Sequence, residues 1–366
     1  MALAEKTYHT EGIVTKATNV FPTAASHARA VIMAVVVVSL ALGPASWAVT
    51  SRQAHAGTAW PLGTLTILPD NPTCLARFTC SKFVVSGCTG VSSDAQGVLA
   101  EADPSDPETV RGSVVFFSGS EGLEWWSAPS LTAEKFLSKL RSRDHFVVVQ
   151  VKWLDSWLKS PSGVDEGPAH LACRSATTID WIYQNVYLPL GITPGEGECG
   201  FCITGNSGGA SQVAYAMSHY GLDGVVNAAF PTSGPPHAAQ EKGCLPGFPH
   251  YRYEVGPLAL VDLSYGFDDG QGDLGPCLTK DSSFAGRWEE ESVDTGANDT
   301  SYPATRIHFL IGANDTSSAV PHAADYRDLL QQDPSNDVTW TLVPNMAHAI
   351  QTSLDGLAAL EATLTA

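Results

Sequence analysis

Ser207 is the side chain in this sequence best suited to nucleophilic chemistry. It stands at the centre of the run Gly205-Asn206-Ser207-Gly208-Gly209. A serine hydroxyl becomes a nucleophile when a neighbouring base takes its proton, and flanking glycines leave room for a strained turn and for a substrate. Such a run also arises by chance in a chain with 33 glycines, so the elements around it decide its meaning.

Those elements are a strand and a helix. Residues 200–204 (GFCIT) are short and mostly apolar or β-branched, as in a buried strand, whereas residues 210–217 (ASQVAYAM) are good helix formers without Gly or Pro. A strand, a sharp turn and a helix resemble the nucleophile turn of the α/β-hydrolase superfamily, in its serine esterase and lipase branch. The similarity in layout covers about residues 60 to 366. The alternative is a glycine-rich loop whose serine only caps the helix.

The resemblance implies an acid and a base further along the chain. Asp315 follows a predicted strand at 306–311 (RIHFLI) and resembles the acid loop of the superfamily, whose carboxylate accepts the Nδ1 proton of a histidine. His348 follows the last predicted strand, 338–343 (VTWTLV), and is the predicted general base that takes the Ser207 proton. The order serine, acid, histidine is the superfamily's chain order.

Other interpretations of these residues remain open. Asp315 could instead cap a helix that begins near Ala319. Three further histidines compete with the predicted base, although His322 stands one turn into a helix, His237 opens an insertion and His170 opens a helix.

The resemblance also implies two amide donors for a developing oxyanion. The loop 118–122 (SGSEG) follows a confidently predicted buried strand, 112–117, where the superfamily places the first donor. We assign this donor to Ser120, with Glu121 as the alternative, and the second donor to Gly208. A simple glycine turn is the competing interpretation of the loop.

Two tryptophans follow this loop. We predict that Trp125 and Trp126, together with Glu121, bind substrate by lining a pocket beside the amide donors. Packing of both indoles in the core is the alternative.

The order of the predicted elements indicates an α/β fold. Strands and helices alternate from Gly112 onwards, which implies a mostly parallel central sheet with helices on both faces, the α/β-hydrolase fold. Short antiparallel strands are predicted before it, between residues 63 and 102. Residues 237–303 have little periodicity, and by analogy with the family we interpret them as a lid-like insertion between strands 6 and 7.

Residues 1–56 are predicted to be an N-terminal leader. Basic residues precede an apolar run at 30–43 that has the length of a signal peptide core. Because the uncharged stretch continues to residue 49, a membrane anchor through residues 30–49 is the alternative. In either case the catalytic domain, residues 57–366, is expected outside the cell, either secreted or anchored.

All eight cysteines lie beyond this leader. An even number in an exported chain predicts disulfides. We favour a bridge between Cys244 and Cys277, and at least one within the group Cys74, Cys80 and Cys88.

The remaining motifs do not imply a cofactor. Cys199 and Cys202 form a Cys-x-x-Cys pair, but a strand follows it where redox proteins have a helix, so a structural bridge or two buried thiols is favoured. The pair has no partners with zinc spacing, and the acidic run at 268–273 lacks the glutamate of a calcium loop. We therefore expect no metal and no organic cofactor.

A net charge of −18 argues against partners that are themselves strongly negative. Nucleic acid is not expected, because its phosphates would be repelled.

Taken together, the motifs predict a secreted or membrane-anchored serine hydrolase acting on a small-molecule, lipid or polymeric ester. A peptidase or amidase with the same triad, or a hydrolase fold that only binds, are the alternatives.

Overall fold

The computed structural model describes residues 59–366 apart from 71, 107–108, 129, 196 and 268–273. The predicted leader, its alternative anchor and the acidic run considered for calcium lie outside the described residues. In the part of the chain that is described, no helix is both long and apolar enough to cross a bilayer.

The described residues form one nine-stranded sheet. Its strands are β1 (Thr64–Ile67), β2 (Thr79–Ser86), β3 (Ala95–Ala102), β4 (Gly112–Phe117), β5 (Phe146–Trp153), β6 (Phe201–Asn206), β7 (Ala228–Thr232), β8 (Arg306–Gly312) and β9 (Asp337–Val343). They lie in the order β1-β2-β3-β5-β4-β6-β7-β8-β9. The pairs β1/β2, β2/β3 and β3/β5 are antiparallel, and all other pairs are parallel. The predicted mostly parallel sheet is confirmed.

Helices connect these strands. In chain order they are α1 (Leu131–Ser142), α2 (Pro168–Leu171), α3 (Cys173–Ile182), α4 (Gly208–Ser218), α5 (Gln240–Cys244), α6 (Val255–Ser264), α7 (Pro276–Thr279), α8 (Ala285–Glu290), α9 (Ala319–Leu330) and α10 (Leu354–Leu364). Serines cap two of them: Ser130 Oγ accepts the amide of Ala133 in α1, and Ser353 Oγ accepts the amide of Gly356 in α10.

Two hydrophobic clusters cover the two faces of the sheet. On one face, side chains of α1 such as Phe136 and of α10 such as Leu360 pack on the strands. On the other face the packing comes from α3, α4 and α9, for example through Ile179, Val213 and Tyr326. Central strands such as β4 are buried on both sides, which explains why they are apolar throughout instead of alternating.

Two segments are less regular than their composition indicates. The apolar run 224–230 (GVVNAAF) becomes a strand only at Ala228, because residues 222–224 form a 3₁₀ turn in which Leu222 O accepts the amides of Val225 and Val226. Residues 168–187 form not one helix but α2, α3 and a π-helical turn at 183–187.

The chain between β7 and β8, residues 233–305, is hereafter called the connecting segment. It includes residues 237–303, which were predicted to be a lid-like insertion between strands 6 and 7, and it carries α5 to α8 between the seventh and eighth strands of the chain. A role as a lid stays a prediction. A separate small cluster of buried side chains holds it together, including Tyr253, Tyr265 and Trp288.

Four disulfides link the cysteines: Cys74–Cys80, Cys88–Cys173, Cys199–Cys202 and Cys244–Cys277. The bridge expected in the connecting segment and the one expected among the first three cysteines are both present. The bridge from Cys88 to Cys173 was not predicted. The two cysteines are 85 residues apart, and only the packing of α3 against β2 brings them together.

Candidate active site

Ser207 lies in a strained turn between β6 and α4. Its backbone has φ 54° and ψ −119°, a conformation that costs a non-glycine residue about 1–3 kcal/mol. The surrounding chain holds it there: the Ser207 amide donates to Thr232 O at 2.9 Å. A Cβ on Gly205 would lie 2.3 Å from the backbone of Gly209, and one on Gly209 would lie 2.3 Å from Phe117 O. The two glycines therefore permit the close approach of strand and helix.

Asp315 and His348 meet at the carboxyl ends of β8 and β9. His348 Nδ1 donates to Asp315 Oδ2 at 2.9 Å, and the Ser317 amide donates to Asp315 Oδ1 at 3.0 Å. The Asp315 side chain is 1% exposed, whereas that of His348 is 38% exposed. The position before the first residue of α9 is taken by Ser318, so Asp315 does not serve as the cap of that helix. The predicted acid and base are thus paired through the atoms that the chemistry requires.

This arrangement keeps Asp315 ionised. Burial alone would raise the pKa of the carboxyl, but the hydrogen bonds from His348 and Ser317 outweigh it, and the pKa lies below its ordinary value. An ionised carboxylate at Nδ1 fixes the imidazole tautomer and stabilises an imidazolium when one forms.

Ser207 and His348 line one cavity of about 440 Å³. Within the described residues no hydrogen bond joins the Ser207 hydroxyl to the imidazole. Catalytic hydrogen bonds are often long in enzymes without substrate and tighten only when substrate binds. The missing bond is therefore compatible with the roles that the sequence predicts for these two residues.

The two predicted amide donors are neighbours. Ser120, in the loop after β4, has φ 49°, and a Cβ on Gly208 would lie 2.4 Å from Ser120 O and 2.8 Å from Ser120 N. In the described part of the chain neither amide N–H has a hydrogen-bond partner. Gly208 is also the first residue of α4, so its N–H stands at the positive end of that helix. Both residues line the cavity, and two amides without a partner are the kind of donors that an oxyanion requires.

The tryptophans border a second cavity beside Ser120. Trp125 and Trp126 both line this adjoining cavity of about 300 Å³, together with Ser120 and Glu121. Trp126 is nevertheless only 1% exposed and packs on Phe116 and Phe136, with ring centroids 4.7 and 6.0 Å away, whereas Lys152 Nζ lies 5.8 Å from the Trp125 ring centroid. The structure therefore has a pocket beside the predicted amide donors, and the binding of substrate there stays a prediction. Neither indole lines the cavity over Ser207, whereas Glu121, the third predicted substrate contact, lines both cavities.

The opposite wall of the Ser207 cavity comes from the connecting segment, chiefly from Tyr253, Glu254, Pro257 and Leu260. These residues lie within the predicted lid-like insertion, but the sequence singled out none of them. No periodicity in the sequence marks these residues, because only the tertiary fold places them over β6. No Lys or Arg is among the described residues that line the cavity.

The competing histidines have other partners. His170 Nδ1 pairs with Glu291 at 2.7 Å, and His322 Nε2 lies 3.0 Å from Tyr251 O. His237 lines the cavity but is bonded through Nδ1 to Ser211 Oγ at 2.8 Å. Among the described residues, no group of three or more His, Cys, Asp or Glu side chains is arranged to hold a metal ion.

The sheet order and the backbone at Ser207 together identify the fold, because they place a serine on a strand-to-helix turn and its proposed partners in the loops after β8 and β9. The chain has the α/β-hydrolase fold. No protein-family model matches it, and a search of curated proteins found no match.

Solved structures with a similar fold are esterases and peptidases. A puromycin-hydrolysing peptidase of Mycobacterium tuberculosis is 16% identical (TM-score 0.41), with 74% of this chain and 36% of the peptidase covered. Est1E from Butyrivibrio proteoclasticus is 10% identical (0.43; 76% and 94% covered), and esterase 2 of Thermogutta terrifontis is 13% identical (0.43; 76% and 92% covered). This chain thus spans about a third of the first and most of the other two. Identities and TM-scores this low transfer no substrate to it.

Proposed function

We propose that this protein is an exported serine hydrolase that cleaves carboxylic esters through Ser207, His348 and Asp315. The observation that carries the proposal is the hydrogen bond from His348 Nδ1 to a buried carboxylate, in a loop that borders the same cavity as a serine on a strained turn. This is the arrangement in which an imidazole acts as a general base toward a hydroxyl.

The proposed reaction has two steps. His348 Nε2 takes the Ser207 proton as Oγ attacks the ester carbonyl, and the resulting oxyanion is held by the amides of Ser120 and Gly208. The imidazolium then protonates the departing alkoxide, which leaves as an alcohol and yields an acyl-enzyme. In the second step water attacks the acyl group while His348 takes a proton from that water. The bond to Ser207 Oγ then breaks, the imidazolium returns the proton to Oγ, and the carboxylic acid is released from the regenerated protein.

The cavity lining supports an ester with an apolar portion. Pro236, Pro257, Leu260 and Val261 border the space next to the nucleophile. Small-molecule, lipid and polymeric esters all meet this description. Cleavage of amides by the same triad is the second candidate, because the catalytic groups are the same for both bond types. A hydrolase fold that only binds is the third.

The proposed location is outside the cell, secreted or anchored through residues 30–49. Four disulfides support it, since such bonds persist in oxidising compartments.

Labelling by a fluorophosphonate probe tests the reaction class. We expect the wild-type protein to be labelled and the Ser207→Ala variant to remain unlabelled. Matched p-nitrophenyl esters and p-nitroanilides then separate the candidates: faster turnover of the esters supports an esterase, and faster turnover of the anilides a peptidase or amidase. A wild-type protein that neither reacts with the probe nor turns over either substrate would be a binding protein.

A further inference from the structure

His237 is a buried polar side chain whose role the proposed mechanism leaves open. It lies at the start of the connecting segment, is only 5% exposed, and borders the cavity that contains Ser207. The ring of Trp157 packs against it edge to face, with the ring centroids 6.1 Å apart. The imidazole is therefore held in one orientation by its surroundings.

The hydrogen bonds of Ser211 determine which ring nitrogen of His237 carries the proton. Ser211 is fully buried, and its Oγ lies 2.8 Å from His237 Nδ1 and 3.4 Å from the His237 backbone N. The backbone N–H donates to Oγ, so the hydroxyl is satisfied as a donor only if it gives its hydrogen to Nδ1. Nδ1 is then the acceptor, and the proton of the neutral ring sits on Nε2.

The ring remains neutral because of where it lies. Burial, with a smaller contribution from nearby His322, lowers the pKa of His237 to about 3. His237 therefore carries one proton at neutral pH.

Nε2 of His237 has no hydrogen-bond partner within the described residues. Nε2 of His219 also lacks a partner, but that atom is fully enclosed by protein. Nε2 of His237 is not among the enclosed atoms, and His237 lines the cavity, so a bound molecule can reach its N–H. A ligand that fills the cavity removes this N–H from water, and a donor buried without a partner costs free energy. A ligand that places an acceptor at Nε2 is therefore favoured over a ligand of the same shape without one.

We propose that His237 is a specificity-determining residue whose Nε2–H donates a hydrogen bond to a second acceptor oxygen of the substrate, separate from the reacting carbonyl. The inference rests on the proposed function, in which the amides of Ser120 and Gly208 already serve the reacting carbonyl and His348 transfers the proton. The substrate class is thereby narrowed to esters with a further carbonyl oxygen near the scissile bond.

A pair of substrates of equal length tests this role. The p-nitrophenyl ester of N-acetylglycine has the second carbonyl, and p-nitrophenyl pentanoate lacks it. After correction for the rates of alkaline hydrolysis, the ratio of their kcat/KM values in wild type is expected to exceed that of the double variant His237→Phe, Ser211→Ala by about tenfold, or ~1.4 kcal/mol. The second substitution removes the hydroxyl that would otherwise lose its partner. His237→Gln, which retains a donor, should restore part of the ratio. An unchanged ratio, or an equal loss on both substrates, would overturn the inference.

A spectroscopic measurement tests the same role without turnover. In the full-chain Ser207→Ala variant with ¹⁵N-labelled histidine, NMR should show His237 neutral and protonated at Nε2, and this signal should shift when N-acetylglycinamide is added. Protonation at Nδ1, or a signal that does not move, would contradict the proposal. Wild-type protein that hydrolyses neither ester would instead refute the proposed function, and the NMR result would stand separately.

Discussion

The carboxyl edge of the sheet and the connecting segment form opposite walls of one cavity, and they are built differently. At the sheet edge, neighbouring parallel strands and tightly packed glycines leave the backbone little freedom, as the turn at Ser207 shows. The connecting segment has its own small hydrophobic cluster and the bridge between Cys244 and Cys277. In the proposed function, the sheet edge supplies the chemistry, whereas the segment supplies the shape and polarity that select a substrate.

Loss of a proposed catalytic group at the sheet edge should have the largest effect. Ser207→Ala and His348→Ala are each expected to lower kcat on every ester by roughly 10⁴-fold or more, and the double variant should lose little further, because the two groups act as a unit. Turnover of p-nitrophenyl butyrate measures this. His250→Ala, at an exposed histidine of the connecting segment, serves as the control and should retain activity. Substantial activity in His348→Ala would assign the base elsewhere.

Glycine to alanine changes on the two walls compare them directly. Gly208→Ala places a Cβ 2.4 Å from Ser120 O, so it should displace the amide donors and lower kcat by roughly 10²-fold. Gly256 borders the same cavity from α6, and a Cβ there would meet no atom within 4 Å. Gly256→Ala should leave kcat close to wild type. Equal losses in the two variants would remove the proposed distinction between the walls.

A smaller effect is expected at Ser317. Its Oγ lies 3.1 Å from His348 Nδ1, so it helps to position the imidazole that Asp315 holds. Ser317→Ala should lower kcat roughly fivefold with KM unchanged, the effect of one lost hydrogen bond. Ser317→Thr should restore activity. Ser318→Ala is the matched control, because the Ser318 hydroxyl donates to Glu254 on the other wall. A rise in KM alone would argue against a positioning role.

The smallest effect concerns the stability of the connecting segment. Burial, and then repulsion from Glu241, raise the pKa of Asp294 from 3.8 to about 7. The folded chain thus binds more protons than the unfolded chain between these values, so this group lowers stability as the pH rises through that window. Asp294→Asn keeps the acceptor for the Thr295 amide and should raise Tm at pH 8 by roughly 2 °C, with the gain vanishing towards pH 4.

Calorimetric scans at several pH values check this prediction. The kcat of Asp294→Asn should equal that of wild type, since the residue lies outside the Ser207 cavity. A gain in Tm of the same size at pH 4 and pH 8 would show that the charge is not the cause.

The two walls also differ in how far the sequence predicts them. Residues at the sheet edge follow runs of apolar residues that can be recognised locally. The turn at Ser207 and the pairing of Asp315 with His348 could therefore be predicted from the sequence alone. The central strands could be predicted for the same reason, because burial on both faces leaves a continuous apolar pattern.

The rest of the site depends on contacts between distant parts of the chain. Nothing near Tyr253 or Glu254 in the sequence shows that they face Ser207, and the free Nε2 of His237 becomes visible only once Ser211 is seen beside it. Trp126 shows why the sequence left two interpretations open, because an indole next to a functional loop can pack in the core and border a pocket at the same time. The structure shows both, with packing on Phe116 and a place beside the second cavity.

A crystal structure of the protein after reaction with a fluorophosphonate tests the central claim most directly. The account predicts phosphorus bonded to Ser207 Oγ, with one phosphonyl oxygen about 2.7–3.1 Å from the amide nitrogens of both Ser120 and Gly208, and His348 Nε2 within hydrogen-bonding reach of an oxygen of the adduct. An adduct on another side chain, or an oxygen that faces away from those amides, would contradict it.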